Sequence, residues 1–244
     1  MTALPTRKLE AYRYADIDAL ASVWSALAPP ERIDITAQQE LQQIWMPNSE
    51  AVQVRRAEIT IAEGGSARIF VLNTASEYGR IELDVTLADD ADFTLFGANI
   101  GGGLANLEIV TTVRHLGERG RSRQTVRSVL GGKAVGTYLG KVEVARDAQK
   151  TDAGQSVKAM LLDRGATANC KPELEIFADD VQCAHGASVG ELDADQLFYA
   201  MSRGLDPAGA RALLLEGFIM GLWDDAPDGD AIRDASRAAL RAIA

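Results

Sequence analysis

The segment Val181-Gln182-Cys183-Ala184-His185-Gly186 holds the densest group of side chains able to do chemistry. On an extended strand, residues two apart face the same side, so Cys183 and His185 would point together. A thiolate and an imidazole so placed can reach one soft metal ion or an iron–sulfur cluster. A structural zinc site wants four ligands, so the missing ones would have to come from elsewhere, such as another chain. By spacing alone a buried Cys–His pair beside Val181 and Val189, on the same face, is the commoner arrangement.

Other candidates are weaker. Cys170 precedes Lys171-Pro172 and would become reactive if Lys171 lowered its pKa, but a small residue in a turn is the simpler reading. His115 has no Ser or Cys at a recognisable catalytic spacing and reads as surface or structural. Arg119, Arg121, Arg123 and Arg127 share one parity. They could form a phosphate patch, though a charged edge that blocks strand aggregation is preferred. The pairs Asp179-Asp180 and Asp224-Asp225 read as turn and helix-end residues, since glycosidases bring their two carboxylates from different segments. Gly101-Gly102-Gly103 lacks the Gly-Lys-Ser/Thr of a phosphate loop.

The elements that must position these residues fall into three regions. Residues 1–50 read as a short arm, partly helical. Ile17, Leu20, Val23, Trp24 and Leu27 follow a 3/4 spacing, and Pro29-Pro30 ends it. Residues 51–190 switch to period two: Ile81, Leu83, Val85 and Leu87, then Leu107, Ile109, Thr111 and Val113, then Val142 and Val144, then Leu174 and Ile176. Frequent turns between these runs predict an all-β core, with sandwich, barrel and solenoid all admissible. An Ala-Asp-Asp turn recurs at 88–90 and 178–180 and leans toward a solenoid. Residues 191–244 are helical. Asp193 with Gln196 forms a capping box, Asp206-Pro207 opens the next helix, and Asp228 is a candidate cap for the last. Leu213 to Trp223 is apolar on more than one side, so it must pack on the β core, on another chain, or on both.

With 244 residues the chain needs no disulfide or metal to fold. The net charge of -10 and 6% aromatic content speak against nucleic-acid binding. The charge is uneven, with 10 acids against 5 bases from Glu191 onward, a surface suited to a basic partner. Two cysteines make no disulfide framework, no stretch is long and apolar enough to span a membrane, and the N-terminus lacks a signal-peptide pattern. A cytoplasmic protein is expected.

The run Lys171-Pro172-Glu173-Leu174-Glu175-Ile176-Phe177-Ala178-Asp179-Asp180-Val181-Gln182-Cys183-Ala184-His185-Gly186-Ala187 resembles the SufD family, subunits of the Suf iron–sulfur cluster assembly machinery. So do Gln196 to Gly204, Ala210 to Phe218, Gly140-Lys141-Val142, Ala148 to Thr151, and Leu4 to Glu10 with Tyr12-Arg13-Tyr14. The paralogous SufB family typically has His-Glu-Ala where His185-Gly186-Ala187 stands, although a SufB-like paralogue remains an alternative. Tyr12 stands where the family commonly has Trp, and most of the family's N-terminal helical region is not seen.

The resemblance implies a right-handed parallel β-helix with terminal helical segments. It implies a non-catalytic scaffold that pairs with a SufB-like paralogue and docks a SufC-like ATPase through its C-terminal helices. Leu213, Leu214, Phe218 and Trp223 are the expected contacts. His185, with Cys183 beside it, would meet transient iron or a nascent cluster together with ligands from SufB, and no cofactor would be held stably. An isolated chain could pair with itself through the same surface. The competing expectation is a β-solenoid enzyme acting on polysaccharide.

Overall fold

The computed structural model describes residues 3–243. Twelve strands wind as a parallel β-solenoid, each coil giving one strand to each of two sheets. The first sheet has the order β1 (Glu31–Ile35), β3 (Val52–Ile61), β5 (Tyr78–Leu87), β7 (Asn106–His115), β9 (Val135–Val144), β11 (Thr167–Ile176). The second has β2 (Glu40–Trp45), β4 (Ser66–Asn73), β6 (Asp92–Gly101), β8 (Arg121–Leu130), β10 (Asp152–Leu161), β12 (Gln182–Glu191). All strand pairs are parallel, and each coil sets a residue over its counterpart one turn earlier, as Val85 over Ile59 and Val113 over Val85.

Period two explains the core. Ile59, Ile61, Leu83, Val85, Leu87, Ile109, Val113, Val142 and Val144 all point between the sheets into one buried cluster. β-branched and leucine side chains stack on their own kind from coil to coil, which suits a pleated surface buried on its inner side. Among the corner residues, Gln38, Gly64, Asp90, Arg119 and Lys150 take left-handed backbone angles, with φ of 60°, 65°, 54°, 57° and 62°. Each donates its N–H to a carbonyl of the next coil's corner: Gln38 to Glu63, Gly64 to Asp89, Asp90 to Glu118, Arg119 to Gln149 and Lys150 to Asp180. Four of the five are not glycine, so this ladder offsets the roughly 1 kcal/mol that a left-handed L-residue costs. Both Ala-Asp-Asp turns lie at this corner, so their recurrence reports the coil repeat.

The solenoid starts earlier than the sequence suggested. β1 and β2 lie within the segment read as an arm. Gln42 and Gln43 interrupt the apolar alternation there, because an end coil buries less than an inner one. The true arm comprises a 3-10 turn at Glu10–Tyr12 and α1 (Ile17–Trp24), capped by Asp16. It lies on the outer face of the first sheet, where Asn106 donates to the Tyr14 carbonyl and Lys171 pairs with Glu10.

The chain ends in α2 (Ala194–Ser202), α3 (Pro207–Ile219), a 3-10 turn at Met220–Trp223 and α4 (Asp230–Ile243). Asp193 accepts from the amides of Asp195 and Gln196, and Asp206 from that of Gly209. Asp228 instead takes a left-handed angle ahead of α4. The face of α3 bearing Leu215 and Ile219, together with Leu222, Trp223, Ile232 and Leu240, covers Phe70, Leu72, Ala98, Ile100 and Val129 on the outside of the second sheet. No helix among the described residues is long and apolar enough to cross a membrane.

Candidate functional site

The two ends of the solenoid differ. At the first end the edge strands β1 and β2 have five and six residues, and Glu31, Arg32, Asp34 and Glu40 blunt them with charge. At the last end β11 pairs only with β9, and β12 only with β10, among the described residues. β12 is ten residues long, largely exposed, without Pro or Lys, and its one charge is the terminal Glu191. An uncovered strand of this kind is a ready template for another strand.

Cys183 and His185 sit on β12, on the side of the strand that continues the solenoid interior. Cys183 lies over Ala153 and His185 over Gln155. His185 is exposed at the open end. Cys183 is half-buried against the core, and burial raises its thiol pKa. Cys170, on β11 over Tyr138, packs against the same core, and burial raises its pKa too. It therefore lies in a strand, not a turn, and Lys171 is engaged by Glu10 and Glu173. The last coil thus gathers both cysteines and one of the two histidines. Among the described residues, however, no three His, Cys, Asp or Glu side chains approach closely enough to hold a metal ion.

Beneath His185 runs a buried polar file that the sequence reading missed. Gln155 Nε2 donates to Tyr138 Oη at 3.0 Å, and Tyr138 Oη donates to Gln124 Oε1 at 3.1 Å. Thr111 Oγ1 lies 3.3 Å from the same phenol. Burial pushes the Tyr138 pKa up to about 12, so it keeps its proton. The signal was present as polar residues at interior positions of otherwise apolar strands.

His115 is structural. It is fully buried, its Nε2 is 2.9 Å from Ser122 Oγ, and its Nδ1 has no partner. Burial lowers its pKa from 6.5 to about 4. The fold therefore favours the neutral ring, and its contribution is complete above pH 6.5 and lost as pH falls toward 4. We expect roughly 3 kcal/mol of acid destabilisation from this residue alone, from the size of the shift. Urea unfolding of wild type and His115→Asn across this window checks it; equal pH slopes would refute it.

The arginine row is committed to carboxylates one coil away: Arg119 to Asp90, Arg121 to Asp92 and Arg123 to Asp152. Arg127 is instead half-covered by α3, its guanidinium 6.0 Å from the Phe218 ring centroid. Asp179-Asp180 stands at a corner, and Asp224 pairs with Arg233.

A second surface lies between α2 and α3. Leu213 is 56% exposed, Phe198 70% and Tyr199 59%. Tyr199, Leu205, Leu213 and Leu214 line a groove of about 520 Å³ bordered by Asp193 and Asp195. Phe218 packs partly against the sheet. Trp223, expected among the partner contacts, is fully buried and donates to Ser236 Oγ at 3.1 Å. Its indole is consumed by the fold, because the 3-10 turn after α3 rotates it inward against α4.

These features define a parallel β-solenoid whose last coil is left open and carries soft, cluster-compatible side chains at its rim. The family comparison places it further. Residues 33–218 match the SufBD core domain of SUF system iron–sulfur cluster assembly, and the chain belongs to the SufBD family. It is similar to the chloroplastic protein ABCI7 of Arabidopsis thaliana, 43% identical over 49% of this chain and 25% of that one. A SufBD family iron–sulfur cluster assembly protein of Synechocystis is 34% identical over 70% of this chain and 38% of its own. The SufD protein of Escherichia coli is 38% identical over 40% of this chain and 23% of its own. The matches thus span less than two fifths of each of these relatives.

Proposed function

We propose that this chain is a non-catalytic scaffold subunit of iron–sulfur cluster assembly. It pairs with a SufB-like paralogue through β11 and β12 and docks a SufC-like ATPase at the α2–α3 groove. The observation that carries this reading is the unblunted ten-residue edge strand β12 with His185 exposed on it. A second chain that adds its own strands would cover the bare edge, bury His185 and supply the ligands this chain lacks. Family membership and the relatives' names support the same assignment.

In this arrangement His185 donates a ring nitrogen to iron or to a nascent cluster, which is the cargo of the complex. Cys183, its thiol pKa raised by burial, joins only if pairing brings a positive charge or metal that draws off its proton. Hydrolysis of ATP by the docked partner, transmitted through α3 where it packs on the second sheet, would change the geometry of the paired edges.

Replacing His185 by Ala leaves the fold intact, because its side chain is exposed in the isolated chain, and the three-protein complex still forms, because strand addition at β12 runs through the backbone. It lowers the cluster yield of that complex at least about tenfold, the scale on which metal sites respond even to loss of an outer partner. Anaerobic reconstitution with iron and sulfide, read by visible absorption, checks this; an unchanged yield overturns the role of His185.

A further inference from the structure

Gln155 is 4% exposed, and its carboxamide is only half used. Nε2 is committed to Tyr138 Oη, while Oε1 is buried with no hydrogen-bond partner. The phenol is held in turn by Gln124 and Thr111, so the carboxamide is anchored from below. Gly140 keeps this knot possible, since a Cβ there would overlap both Tyr138 Oη and Gln155 Nε2. A buried acceptor left empty forfeits its hydration with nothing in return, so the fold has a stake in filling it. The register sets two donors beside it: Gln124 on β8, whose Nε2 is likewise buried without a partner but whose carboxamide is already tied to Tyr138 through Oε1, and His185 on β12, which stands over Gln155 on the same side of the sheet with its ring exposed. Neighbouring strands lie about 4.8 Å apart, and with the Gln155 carboxamide held by Tyr138 it is the exposed His185 ring that turns to close the gap.

We propose that Gln155 is a positioning residue for His185: its Oε1 accepts the N–H of one ring nitrogen and leaves the other nitrogen free at the open rim. A metal-binding histidine commonly donates its second ring N–H to an acceptor of this kind, which fixes the tautomer and aims the free lone pair. The chain Gln124–Tyr138–Gln155–His185 then runs from the solenoid interior to the rim, holding the ring without contributing a ligand. This deepens the reading of His185 as a donor and rests on it for its purpose, though not for its detection.

The test uses nitrogen-15 histidine labelling of the isolated full chain at mildly alkaline pH. The chain has two histidines, and His115, buried beside Ser122, serves as the internal control for folding. The expected result is a fixed tautomer at His185, with one pyrrole-type and one pyridine-type nitrogen at their limiting shifts. Gln155→Met moves both shifts toward the averaged values of a free imidazole and leaves His115 in place, while Gln155→Glu, which keeps an acceptor, retains the fixed tautomer. Averaged shifts in the wild type, or shifts that Gln155→Met does not move, overturn the proposal. Where Gln155→Met disturbs His115 and so the fold, the wild-type tautomer decides alone. A fixed tautomer combined with normal cluster yield after His185→Ala would keep the pairing and remove only the donor role.

Discussion

Glu108→Ala will destabilise the chain by about 3–5 kcal/mol, the usual cost of removing one member of a buried ion pair. Arg80 Nη1 lies 2.9 Å from Glu108 Oε2, and neither side chain has any exposed surface. Tyr78 donates its hydroxyl to the same carboxylate oxygen. The Tyr78 pKa is raised, first by burial and then by the Glu108 charge, so the phenol remains a donor. Arg80 also reaches Glu82 and the Ala11 carbonyl, and its guanidinium lies 4.1 Å from the Tyr12 ring centroid. Deleting the carboxylate leaves a buried cation with the partly exposed Glu82 as its counter-charge and takes away the acceptor of the Tyr78 hydroxyl. The arm, held to β5 through Arg80, loosens with it. Arg80→Met with Glu108→Leu removes both charges together and should recover most of the loss, because an apolar pair of similar volume has no desolvation penalty. Urea unfolding reads both; a loss below about 1 kcal/mol for Glu108→Ala, the value of an exposed pair, would show that the charges are not buried in solution.

Trp223→Ala has an effect of similar size, about 3–5 kcal/mol, for a different reason. The indole fills the space between the outer face of the second sheet and α4, among Phe70, Leu72, Ile232 and Leu240. Its Nε1 donates to Ser236 Oγ, which donates to the Ile232 carbonyl, while Arg233 Nη2 donates to the Trp223 carbonyl at 2.6 Å. Truncation leaves a cavity and uncouples α3 from α4. Trp223→Phe keeps most of the volume, loses one hydrogen bond and costs about 1 kcal/mol. Hydrogen exchange localises the damage: amides of α3 and α4 should lose protection while β7 and β9 retain theirs. If Trp223→Ala left stability unchanged and weakened only partner binding, the indole would be a docking residue after all. Leu213→Ala is the contrasting case, since its side chain is largely exposed and its loss should act on docking and not on folding.

The strands were legible because their chemistry repeats, whereas the pattern left sandwich, barrel and solenoid open and only the family resemblance implied the β-helix. The Ile81–Leu87 and Leu107–Val113 alternations became β5 and β7, and the recurring Ala-Asp-Asp marked one corner. Asp193 and Asp206 cap their helices by local rules that need no tertiary context. The rest depends on what lies one coil away. β1 and β2 were hidden because an end coil does not need a clean apolar face. Trp223 was misassigned because an all-round apolar helix does not say which side meets its own sheet and which is left bare. His115 and Gln155 look unremarkable in sequence, and their burial follows from strands about 30 residues apart being laid in register. The shared strand face of Cys183 and His185 was legible from their spacing, but the openness of β12 was not, since an edge is a property of what is missing beside it.

The central claim is that the open β11–β12 edge exists to be covered by a paralogous chain. Its most direct test is anaerobic recovery of the tagged chain from the cells that make it, with every co-purifying protein identified by mass. The account predicts a stable complex containing a SufB-like protein and a SufC-like ATPase. A chain that emerges alone and stays monomeric at micromolar concentration, its longest edge uncovered, would contradict it.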